Sequence, residues 1–180
     1  MGGVSAGANL AAACARYAQT TETLACPLTG QWLNVPWLMS EQQVPAKWAH
    51  LHTSRQQNEE APILPTADLE KVIQYTGLDL ESPWFSPLNH SHPMGGLPKA
   101  YIQADGMDPL RDDAFLYDEM LREAGVQTLC DLYSGVPHAH TAFMADTEIA
   151  KTGVLDLMVA MGWMLGCDIS RDDVERALDV

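Results

Sequence analysis

Basic residues are scarce. Ten Lys and Arg stand against 24 Asp and Glu, for a net charge of −14. A surface of that sign repels phosphate backbones, so nucleic acid is not an expected partner. The chain lacks any run of 18 apolar residues, so no membrane-spanning segment is expected. It also lacks the basic stretch followed by an apolar one that opens a signal peptide. The four cysteines, Cys14, Cys26, Cys130 and Cys167, form no CxxC pair and no Cys/His spacing suited to zinc. They read as small buried apolar side chains, which points to a reducing, cytoplasmic setting. Three H-x-H pairs, His50/His52, His90/His92 and His138/His140, have no carboxylate cluster beside them, so no metal is expected. Repeats and low-complexity tracts are absent too. What remains is a chain of 180 residues, 47% hydrophobic and 19% charged, enough for one domain with a sizeable core.

The pattern of apolar residues alternates between two periods. Residues 8 to 18 read as a helix, with Leu10, Ala13, Cys14 and Tyr17 on one face at i, i+3, i+4, i+7. Residues 28 to 36 read as a buried strand that stops at Pro36. From 40 to 65 the composition turns to Gln, Glu, His and Pro. A short helix is expected around 44 to 52, and Arg55 to Glu60 reads as polar, exposed chain. Asp68 to Thr76 predicts a helix closed by Gly77. Four prolines between 82 and 98 predict a loop. Regular structure then returns: a strand over Lys99 to Ala104, a helix with Leu110, Ala114, Tyr117 and Leu121 on one face, and a strand over Gln127 to Tyr133. A long apolar helix follows over 145 to 165. Ser170 and Asp173 form a capping box before a last short helix. Strands alternating with helices predict an α/β class fold with a parallel sheet and helices on its faces.

Three segments carry chemistry. Gly3-Val4-Ser5-Ala6-Gly7 has the G-x-S-x-G form of a nucleophile elbow, where a sharp strand-to-helix turn pushes the serine hydroxyl outward. The flanking glycines would let that turn close. A glycine-rich helix start is the plainer reading of the same five residues. Asp105-Gly106-Met107-Asp108-Pro109 lies where a strand gives way to a helix, the usual place for a ligand crevice. Asp108 before Pro109 suits a helix cap as well as a functional acid, and Asp105 is the rival carboxylate. Asp112 and Asp113 read as helix surface. Gly135-Val136-Pro137-His138-Ala139-His140 again follows a strand. A histidine there can take a proton from a serine and be oriented by a carboxylate. His140 is the rival base, while His50, His52, His90 and His92 read as surface residues. Serine, then aspartate, then histidine, each at a strand end, is a chain order known from one hydrolase fold.

The stretches GGVSAGANLAA at 2 to 12, SPL at 86 to 88, GLPKAYIQADGMDPLRDDA at 96 to 114 and YSGVPHAH at 133 to 140 carry a family resemblance. The chain resembles the hormone-sensitive-lipase-like branch of the α/β-hydrolases over residues 2 to about 165. Members typically show G-D-S-A-G-G, D-P-L-R-D and a His-Gly-Phe end, and D-P-L-R-D is the most specific match. Here Val4 replaces Asp, Ala8 replaces Gly, and His140 stands where Phe is common. The resemblance implies Ser5 as nucleophile, Asp108 as acid and His138 as base, with the Ala6 backbone N–H in the oxyanion hole. It implies a small-molecule ester as substrate, hydrolysed without metal or organic cofactor, and a cap supplied in part by residues 38 to 97.

The family's His-Gly-Gly-Gly oxyanion loop lies upstream of the serine, and here Met1 stands four residues before it. The expectation is a single truncated domain holding the C-terminal strands of the fold. No strand leads into Ser5, the strand at 28 to 36 is an exposed edge, and a missing N-terminal half or a dimer partner supplies the rest. Each lost oxyanion donor costs about 10²–10³ in rate. Two other functions fit the residues. One is a non-catalytic remnant or piece of a longer enzyme. The other is a biosynthetic enzyme using the hydrolase pocket for cyclisation, transfer or dehydration.

Overall fold

The computed structural model describes residues 1–21 and 24–178. Four strands lie side by side in chain order, all parallel: β1 (Gly2–Val4), β2 (Gly30–Asn34), β3 (Lys99–Asp105) and β4 (Thr128–Tyr133). The helices are α1 (Ala6–Ala18), the short α2 (Ser54–Gln57), α3 (Thr66–Thr76), α4 (Arg111–Glu123), the single turn α5 (His140–Phe143), α6 (Glu148–Leu165) and α7 (Arg171–Leu178). This is an α/β fold with a parallel sheet, as the alternation of strands and helices predicts. None of the described helices is long and apolar enough to cross a membrane.

Strand β3 shows how the layers form. Successive side chains alternate between the two faces. Ala100, Ile102 and Ala104 join the main core with α1, β2 and α4, while Tyr101 meets Ala160 and Met164 of α6. Helices therefore cover both faces of a strand that is buried over six of its seven residues. On α4, Leu110, Ala114, Tyr117 and Leu121 all face the core, as their spacing predicts. Gly77 and Gly166 end α3 and α6 in the left-handed conformation.

Several expectations are corrected. A strand does lead into Ser5: β1 is only three residues long but pairs with β2, with Gly3 opposite Leu33. Backbone bonds extend that pairing at both ends, from Trp32 N–H to Met1 O and from Ser5 N–H to Asn34 O. The strand at 30 to 34 is consequently interior, and β1 is the edge. Helix α1 buries Ala8, Ala11, Ala12 and Ala15, while Leu10, Cys14 and Tyr17 face outward. The alanine stripe lets the helix sit close to the sheet, and larger residues would hold it off. Cys26 and Cys167 are also exposed, and only Cys130 is half-buried.

The segment between β2 and β3 is less irregular than its composition suggests. In place of one helix over 44 to 52 it has 3₁₀ turns at Glu41–Gln43 and Ala49–Leu51. Arg55 opens a helical turn and is buried, donating to Met39 O and to Asp113. His52 is buried against the same carboxylate. Asp112 and Asp113 are not helix surface. Asp112 accepts from the N–H groups of Thr53 and Ser54, and Asp113 from those of Leu38 and Met39. Buried carboxylates need such donors, and here the donors belong to the segment that crosses over α4.

Candidate active site

Ser5 joins β1 to α1 with φ of 56° and ψ of −117°, a backbone conformation few side chains adopt. A Cβ on Gly3 would run into the Gly7 carbonyl, whereas one on Gly7 would meet open space. The elbow thus depends on glycine at position 3 for close approach, and the expected need at position 7 is not seen among the described residues. Ala6 is the first residue of α1, so its N–H has no acceptor within the helix. That donor lies next to Ser5, where an oxyanion formed by attack would develop.

The other two predicted side chains come from the loops after β3 and β4. These loops run against each other. Gly106 N–H donates to Tyr133 O at 2.8 Å, and Met107 N–H to Val136 O at 2.9 Å. A Cβ on Gly106 would lie 3.0 Å from Gly135 N, so glycine permits the approach. Across this seam His138 Nδ1 lies 2.7 Å from Asp108 Oδ2. His138 Nε2 lies 2.9 Å from Ser5 Oγ. With the carboxylate accepting from Nδ1–H, Nε2 is left to accept the serine proton. Ser5, Asp108 and His138 are therefore brought together, in one hydrogen-bonded line.

Asp108 is fully buried. Burial pushes its carboxyl above the usual carboxylate range. The hydrogen bond and charge of His138 pull it back, as does the Leu110 N–H, and nearby Asp105 pushes it up again. The rival residues do not compete for the serine. Asp105 and His140 pair with each other, Nδ1 to Oδ1 at 2.7 Å, and both are buried.

Three residues with structural roles around the site were not read from the sequence. Asn9 donates to the carbonyls of Trp37, at 2.6 Å, and Phe85. Arg16, seven residues on and also buried, donates to the carbonyls of Pro87, His90 and His92. Together they tie both ends of the 38 to 97 segment to α1. The seven-residue spacing of two polar groups along the alanine stripe was the available signal. Val35 is the third, with φ of 44° directly after β2. Nothing in a Val-Pro pair announces a left-handed valine. Ser5, Val35 and Ala139 (φ 57°) put strained backbone beyond the ends of three strands, around the same serine. Among the described residues no group of three His, Cys, Asp or Glu could hold a metal ion.

Residues 1–142 match the family described as the alpha/beta hydrolase fold. The chain is 30% identical over 164 residues to a versiconal hemiacetal acetate esterase of Dothistroma septosporum, covering 91% of this chain and 50% of that one. It is 30% identical to esterase LipI of Mycobacterium tuberculosis, covering 88% and 49%. Among solved structures it resembles a vibralactone cyclase, with TM-score 0.86 and 30% identity over 92% of this chain and 48% of that one. A thermostable esterase from Pseudomonas putida gives TM-score 0.72 at 27% identity, over 84% and 46%. The chain spans about half the length of the curated relatives it matches.

Proposed function

The chain belongs to the alpha/beta hydrolase fold family, and its relatives include named esterases; from that premise we propose that Ser5, His138 and Asp108 hydrolyse a small carboxylic ester. Ser5 Oγ attacks the acyl carbonyl as His138 Nε2 takes its proton. Asp108 holds the Nδ1–H and balances the imidazolium that forms. The Ala6 N–H stabilises the oxyanion. His138 then returns the proton to the leaving alcohol, and water repeats the sequence on the acyl-enzyme. The observation that carries this reading is the continuous line of contacts from Asp108 through His138 to Ser5, at 2.7 and 2.9 Å. We also propose that residues 38 to 97 form part of a cap over the acyl group, since Asn9 and Arg16 fasten that segment above α1.

A fluorophosphonate probe tests the assignment. Adduct formation at Ser5 is expected, lost in Ser5→Ala and lowered on the order of 10⁴-fold in Asp108→Asn. Hydrolysis of short nitrophenyl esters should follow the same pattern. Unchanged labelling in Ser5→Ala sinks the assignment, and no labelling of the wild-type chain favours a non-catalytic piece. The likeness to a cyclase at TM-score 0.86 favours a second reading. In it the Ser5 acyl-enzyme is released by an internal nucleophile of the acyl group instead of water. Mass spectra of products formed in H₂¹⁸O separate the two, because only hydrolysis places ¹⁸O in the acid.

A further inference from the structure

The two loops that carry Asp108 and His138 are joined by a second aspartate–histidine pair. Asp105 Oδ1 lies 2.7 Å from His140 Nδ1, and Asp105 Oδ2 accepts the His140 backbone N–H at 3.1 Å. One carboxylate therefore binds one residue through both main chain and ring. His140 is wholly buried, its ring 4.7 Å from that of Tyr133. Its Nε2 has no hydrogen-bond partner. That atom points at α6, where a Cβ on Gly153 would sit 3.2 Å from it. An Nε2–H would be a buried orphan donor, so the geometry favours the ring proton on Nδ1, donating to Asp105 Oδ1.

A phenyl ring at 140 together with an apolar residue at 105 would fill this space with neither an unsatisfied nitrogen nor a second buried carboxylate. The polar pair costs stability relative to that alternative, so its benefit must lie in orientation. What it orients is visible in the chain. Ala139, between the two histidines, holds a left-handed conformation with φ 57° and ψ 41°. That conformation is unfavourable for alanine and persists only when its surroundings impose it. The two aspartates, three residues apart where β3 ends, hold the two histidines, two residues apart where α5 begins.

We propose that Asp105 and His140 are positioning residues that fix Ala139 in its strained conformation and thereby hold the His138 ring in line with Ser5. The proposal rests on the reading of Ser5 and His138 given above. The charged and titratable groups facing the pair are Asp108 and His138 on the adjoining loops and Tyr133 on β4. Asp156 of α6 accepts a hydrogen bond from the Tyr133 hydroxyl.

The test uses the second-order rate of fluorophosphonate labelling of Ser5 in the 180-residue chain. In His140→Asn, the side-chain amide places a donor where Nδ1 was. In His140→Phe, the ring stays and the donor is lost. Asp105→Asn removes the charge. We expect His140→Phe and Asp105→Asn to label about 10- to 100-fold more slowly, as a misplaced base does. His140→Asn should recover most of that loss. His140→Phe leaves the buried Asp105 without its ring partner and should lower the thermal midpoint, so labelling rates are compared at a temperature where circular dichroism shows every variant fully folded, separating loss of positioning from loss of folding. Equal labelling by His140→Phe and wild type overturns the proposal while leaving the Ser5 assignment intact. So does failure of His140→Asn to exceed His140→Phe. If Ser5 is not labelled even in wild type, the functional reading fails instead. The positioning claim is then read from the low-field imidazole proton between His138 and Asp108. Its exchange with solvent should quicken in His140→Phe and not in His140→Asn; equal exchange in all three overturns it.

Discussion

Cys130 and Asp112 show burial acting in opposite directions once partners are counted. Burial pushes the Cys130 thiol up to about 12, and the charges of Asp118 and Asp131 add to this. Its thiolate is therefore scarce at neutral pH, and the thiolate is the nucleophile. Brief iodoacetamide treatment at pH 7.5 should alkylate Cys14, Cys26 and Cys167 and leave Cys130 unmodified in peptide mass spectra. Asp112 is also buried, which alone would raise its carboxyl. Arg111 and the N–H groups of Thr53 and Ser54 outweigh that and leave it below the usual range. Stability from this group is complete above the unfolded value of about 3.9 and is lost as pH falls through the lower folded value. Denaturant midpoints taken from pH 6 to pH 2 should fall more steeply in the native protein than in Asp112→Asn. At this scale the sequence was most informative where residue type and position coincided. Asp108 and His138 could be placed at strand ends, but local pattern did not rank them above Asp105 and His140, and only the family resemblance did. The distinction is one of pairing across two loops, which no local pattern encodes.

Elements were legible where one face is buried and the other wet. The face of α4 was found because Leu110, Ala114, Tyr117 and Leu121 are large and apolar. The same rule misplaced α1, whose large apolar residues point outward while alanines pack on the sheet. Size had been taken for burial, but a helix pressed onto a sheet selects small residues. The 38 to 97 segment was read as part of a cap, with Arg55 to Glu60 exposed because they are polar. Its polar groups are instead satisfied by α4, with Asp113 taking Leu38 N–H, Met39 N–H, His52 and Arg55. Removing one partner of a buried charge cluster costs about 3–5 kcal/mol. Asp113→Ala should lose an amount of this order in urea unfolding. It should also speed proteolysis between residues 38 and 60 under native conditions, where an exposed pair would leave both unchanged.

At the scale of the whole molecule, the parallel sense of the sheet followed from the alternation of strands and helices. The sense of β1 as an edge did not, because three residues before a serine carry too little pattern to reveal a strand. Among the described residues β1 pairs on one side only, and β4 closes the other edge with Leu129 and Leu132 exposed. Helices beside the sheet also expose Leu10 at 60% and Leu165 at 60%. Open edges flanked by apolar surface favour association. Sedimentation of the 180-residue chain should show concentration-dependent species heavier than 19.7 kDa. Lysine in place of Leu10 and Leu165 should shift it toward the monomer.

The seam between the β3 and β4 loops bears on how this sequence can be recombined. Gly106 fits against Gly135, and Asp105 and Asp108 each hold a histidine from the opposite loop. Residues 105–108 and 133–140 are thus one structural unit, although 24 residues separate them. A chimaera with its crossover between those stretches would join an acid loop and a base loop shaped for different partners. One with its crossovers outside both would carry the pair across intact.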